Sequence, residues 1–141
     1  MTRLALITAL LAMWFATGAR ADPCKAIPDR GPAPGWLKPG AVFSGPIAYV
    51  GDGDGLCVRD PRYGLVEVRL SDFSAPELSD PSGKLAKAAL ARHMGQRAVC
   101  TVQGGHGNRA RSYDRALAVC RIGGVSIGEL MRRAGVKEGG R

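Results

Sequence analysis

The chain has 141 residues, with 20 Lys and Arg against 12 Asp and Glu, for a formal net charge of +8. This length points to one domain, and no internal repeat or second domain is visible. Four cysteines with no Cys-x-x-Cys pair, and two histidines at no zinc-finger spacing, argue against a zinc module. The basic balance suits a polyanionic partner through counterion release, although solubility alone also accounts for it.

Residues 1–21 read as an export leader: a basic start at Arg3, an apolar run over 4–15 too short to span a bilayer, and Ala19-Arg20-Ala21 as a small-x-small cleavage pattern. The mature chain is expected to begin at Asp22, to be secreted or periplasmic, and not to insert in a membrane. Its charge is then about +6, since the leader holds two of the 20 basic residues. Residues 22–40 hold five prolines and three glycines and read as an extended arm, with Trp36-Leu37 able to pin it to a core.

Strand signals follow in the 41–141 domain. Residues 41–50 are apolar, with Gly45-Pro46 marking a bend or an edge. Residues 56–58 form a second short strand, 60–64 a turn, and 65–70 a third strand. Val66, Val68 and Leu70 share one face of that strand, and Glu67 and Arg69 the other. Asp80-Pro81 starts a helix over 84–94 that Gly95 stops. Residues 98–102 form a fourth strand, 103–112 a Gly-rich basic loop, and 115–122 a fifth strand. Ser126 and Glu129 cap a last helix that ends at Gly135. An even cysteine count in an exported chain predicts disulfides. Cys100 and Cys120 lie on neighbouring strands and are paired, which leaves Cys24 with Cys57. The order of elements gives an α+β, mainly β fold that suits a five-stranded OB-type barrel with two helices, disulfide-stabilised; several small α+β folds share that order.

Three segments carry chemistry. Asp52-Gly53-Asp54-Gly55 is a tight turn whose carboxylates can converge on a hard cation, although a plain Asp-Gly turn is the commoner use of such a segment. Arg69 can grip two phosphate oxygens, and Glu77, after Pro76, can orient or deprotonate a water. Arg115, after Tyr113-Asp114, is a second arginine for the charge of a phosphoryl transition state. Taken singly, each of these residues is as readily a solvated surface side chain. The loop 104–111, with Arg109 and Arg111, is able to close over a nucleic-acid strand.

In order and spacing these segments resemble the staphylococcal nuclease (thermonuclease) family. Val50-Gly51-Asp52-Gly53-Asp54-Gly55-Leu56 is similar to its metal turn. Val68-Arg69-Leu70-Ser71 with Ala75-Pro76-Glu77 is similar to its first arginine and glutamate segment, and residues 112–118 to its second arginine segment. The resemblance covers about residues 41–136. It implies an OB barrel that hydrolyses DNA or RNA with a divalent cation, usually calcium, and a monomer is expected. It implies Arg69 and Arg115 on phosphate, Glu77 as general base, Asp54 on metal, and Tyr113 near the substrate. The family's second metal aspartate is replaced by Ser74, its threonine after the metal aspartate by Gly55, and its glycine between tyrosine and arginine by Asp114. Asp52 or Asp72 is expected to restore the lost charge. Two other functions fit the same residues: a nucleic-acid-binding module with a weakened metal site, and an envelope interaction protein contacting partners through its arm.

Overall fold

The computed structural model describes residues 22–139, so residues 1–21, read as a leader, lie outside the described residues. It contains strands β1 (Val42–Val50), β2 (Gly55–Asp60), β3 (Gly64–Leu70), β4 (Arg97–Val102), β5 (Arg111–Ser112), β6 (Arg115–Ile122) and β7 (Val125–Ser126), and helices α1 (Pro81–Ala91) and α2 (Ile127–Arg133).

Five strands close into a barrel. β1, β2 and β3 form an antiparallel meander, β1 also pairs with β4, and β4 pairs with β6. β6 then runs parallel to β3, with Val68 opposite Ala116 and Leu70 opposite Ala118, which removes both sheet edges. The alternation read in residues 65–70 is the reason the closure works. Val66, Val68 and Leu70 point inward with Phe43, Ile47, Leu56, Val58 and Val102, and the small Ala116 and Ala118 give them room in a narrow barrel. Gly45-Pro46 lies inside β1, in regular register with Ala98 and Arg97 of β4. The first half of β1 pairs with β4, and its second half with β2 after a register shift between Ile47 and Tyr49.

Both helices begin where expected. Asp80 caps α1 by accepting from Ser82 N at 2.9 Å, and Ser126 Oγ caps α2 by accepting from Glu129 N at 3.1 Å. α1 ends at Ala91, earlier than expected, and turns carry the chain to Gly95. The Glu129 carboxylate pairs with Arg133 at 2.9 Å, one turn further along the helix. Ile127 and Met131 bury the inner face of α2.

The arm is part of the fold. Ile27 and Leu37 are buried, Ala26 N donates to Leu65 O at 3.1 Å, and Trp36 stacks on Tyr63 with ring centroids 4.1 Å apart. Both disulfides pair as expected, Cys24 with Cys57 and Cys100 with Cys120. Two disulfides suit an oxidising compartment, and among the described residues no helix is long and apolar enough to cross a membrane.

The Cys24–Cys57 bond closes a span of 33 residues, and its loss is expected to cost about 3 kcal/mol on the chain-entropy account. Urea unfolding of the Cys24→Ala/Cys57→Ala protein beside the oxidised wild type measures this; equal midpoints would show that the arm's packing alone holds it.

Candidate functional site

The turn between β1 and β2 sits against the end of β3 and the start of α1. Glycine is required at its centre, because a Cβ on Gly53 would stand 2.5 Å from Ala86 Cβ and 2.6 Å from Ala75 Cβ. Asp52 Oδ1 accepts from Asp54 N at 3.1 Å and shapes the turn. Asp54 is thereby turned inward and is only 7% exposed. Its Oδ2 accepts from Ala75 N at 2.7 Å and lies 3.1 Å from Arg69 Nη1.

Arg69 lies on the β3 face opposite Val68 and Leu70, and it is buried there, only 7% exposed. The segment after β3 curls back over its side chain. Nη1 donates to Leu70 O at 2.7 Å and Phe73 O at 2.9 Å, and Nη2 to Ser74 Oγ at 3.3 Å. Burial of such a group is tolerated because its charge and N–H donors have partners. Burial raises the Asp54 carboxyl above the usual carboxylate range, against the lowering pull of Ala75 N–H and Arg69.

Glu77 is exposed, in the loop that leads to α1. Its backbone is clamped: a Cβ on Gly83 would stand 1.9 Å from Glu77 O, so only glycine lets the helix seat there. Arg115 begins β6. With Asp52, Asp54, Arg69, Ser74 and Glu77 it lines one cavity of about 210 Å³. Arg69 and Ser74 also line a groove of about 1000 Å³, together with Asp29, His106, Arg109, Arg111 and Tyr113. Tyr113 is 78% exposed and held at φ 56°.

The structure thus brings together Asp52, Asp54, Arg69, Glu77 and Arg115 at the cavity, and Tyr113, Arg109 and Arg111 at the adjoining groove. It leaves Asp72 apart. Asp72 Oδ2 lies where a Cβ on Gly128 would be 2.7 Å away, against α2 and outside the cavity lining. Asp52, and not Asp72, supplies the second carboxylate near Asp54. Arg111 is turned toward the arm, donating to Pro28 O at 3.2 Å and Gly31 O at 2.8 Å.

Three features escaped sequence reasoning. Asp29 reaches the groove from the arm, and Gly139 reaches the cavity, its N–H donating to Ser74 O at 2.9 Å. Glu67 lies beside Arg115. Its carboxyl is pushed from 4.5 up to about 7, by burial first and then by Asp22 and Asp114, with Arg115 opposing. A charged residue two positions before Arg69, on the same strand face, was the only available signal.

The donors at the cavity do not fit a hard divalent cation, which seeks six or more oxygens and several carboxylates. Asp54 Oδ2 and Ser74 Oγ already serve Arg69, and Asp52 Oδ1 serves Asp54 N–H. Among the described residues, no three His, Cys, Asp or Glu side chains group as a metal site. No protein-family model and no curated protein matches the chain.

Asp54→Ala is expected to cost about 3–5 kcal/mol, because it strands the Arg69 charge in the interior; urea midpoints measure it. Glu67 generates a pH dependence. Its folded pKa is raised, so its contribution is fully present below about 4.5 and is lost as pH rises through about 7. The melting temperature of wild type is expected to fall over that interval more than that of Glu67→Gln. Parallel curves would exclude the assignment.

Proposed function

We propose that this protein is an exported phosphodiesterase of the staphylococcal nuclease type that hydrolyses DNA or RNA strands laid along the groove. The observation that carries the reading is the shared wall. Arg69 lines both the groove and the cavity, which also holds Arg115 and Glu77.

In this reading Arg69 and Arg115 flank the scissile phosphate and offset its charge as it grows toward the transition state. Glu77, held by its clamped backbone, accepts the proton of a water that attacks phosphorus in line with the leaving oxygen. The P–O bond breaks, and the leaving oxygen takes a proton from solvent at the cavity mouth. Tyr113 and Arg109 guide the strand in the groove, where an exposed ring offers a stacking surface for a base. The calcium implied by the resemblance enters no step, because the donor set falls short of it.

Ser74 favours a second reading, in which the barrel binds nucleic acid without cutting it. Digestion of labelled single-stranded DNA by the oxidised mature chain separates the two. The nuclease reading expects cleavage that falls by about 10²- to 10⁴-fold in Glu77→Ala and by about 10²- to 10³-fold in Arg115→Ala. Salt-sensitive binding with no cleavage establishes the binding module. Cleavage that survives Glu77→Ala removes the general-base assignment.

A further inference from the structure

Four oxygens converge on one guanidinium at the end of β3. Asp54 Oδ2 lies 3.1 Å from Arg69 Nη1, Leu70 O 2.7 Å and Phe73 O 2.9 Å from the same nitrogen, and Ser74 Oγ 3.3 Å from Nη2. One carboxylate, two backbone carbonyls and one hydroxyl are oxygens of the types that hard cations take, but four of them, with one carboxylate, fall short of the six or more that a divalent ion seeks. Among these four oxygens one formal negative charge, that of Asp54, stands opposite the charge of Arg69. A divalent ion entering this cage of oxygens would meet that guanidinium at contact distance, although Asp52 and Glu77 also line the cavity and Glu138 Oε1 accepts from Ser74 N at 3.3 Å.

Resting on the phosphodiesterase reading, we infer that the Arg69 guanidinium is the resident cation of this site: it fills the oxygen cage in place of a divalent metal, so phosphate recognition here needs no metal ion. Ser74 contributes an oxygen to this arrangement without contributing a charge. An aspartate there would leave the cage one negative charge in excess and draw in a second cation. A hydroxyl satisfies one guanidinium N–H and adds no charge. The cage also places the cation permanently between the cavity and the groove, since Arg69 and Ser74 line both. Arg69 is therefore a positioning residue for Asp54 and the 71–75 segment as well as a phosphate contact.

The test is calorimetric titration of calcium into the oxidised mature wild type. It is paired with binding of a single-stranded phosphorothioate oligonucleotide in calcium and in chelator. The expected result is no saturable calcium heat up to about 10 mM and an oligonucleotide Kd that agrees within about twofold in the two buffers. A calcium Kd below about 1 mM, or an oligonucleotide that binds about tenfold tighter with calcium, overturns the inference. Arg69→Met empties the cage and leaves Asp54 without its counter-charge. Calcium is expected to raise the melting temperature of that variant by several degrees while leaving wild type unmoved, and a variant indifferent to calcium counts against the inference. Should Arg69→Met fail to fold, the wild-type titration decides alone. An oligonucleotide that binds in neither buffer ends the nucleic-acid reading, while the calcium titration still judges the cage.

Discussion

Asp54 and Arg69 meet inside the protein, and both charges lie almost out of water. Such a pair is costly to bury and persists only where further hydrogen bonds complete it. Here the completing groups come from elsewhere: Ala75 N–H on the carboxylate, and the Leu70 and Phe73 carbonyls on the guanidinium. Leu70 N also donates to Asp54 O at 2.8 Å. The pair therefore ties the β1–β2 turn, the end of β3 and the following segment into one body. The cavity's floor is that body.

The parallel contact of β3 with β6 supplies the other half of the site. One residue before the Val68–Ala116 pair, Glu67 and Arg115 come side by side, with Arg69 on the same face of β3. Two arginines 46 positions apart in the chain thus flank one cavity. The antiparallel β4–β6 pairing and its disulfide hold β6 in that register, because Cys100 and Cys120 are direct cross-strand partners. A slip of one residue would turn Arg115 inward and Ala116 outward.

The arm contributes Asp29 to the groove. Cys24 anchors it to β2, and Arg111 fastens the basic loop to it through the Pro28 and Gly31 carbonyls. That places an acid, Asp29, in a groove that Arg69, Arg109 and Arg111 also line.

Strand alternation over 65–70 and the Asp80 and Ser126 caps were legible in the sequence, because each rests on a period or a local hydrogen bond that neighbours in the chain decide, and the disulfide partners followed from the order of the strands. The site residues Asp54, Arg69, Glu77 and Arg115 were legible as residue types at a spacing. Their surroundings were not. Alternation placed Arg69 on the face opposite the core, and the segment 71–75, curled back over β3, buries it there. Asp72 and Asp52 were equal candidates in the chain until the packing of Gly128 took Asp72 to α2. Glu67 meets Arg115, and Arg111 meets the arm, only once the barrel closes and the disulfide anchors residue 24. By itself the sequence determined which elements form and which side chains are available. The tertiary structure decided which charges are buried together, since burial and charge pairing arise from contacts between segments far apart in the chain, about which local periodicity carries no information.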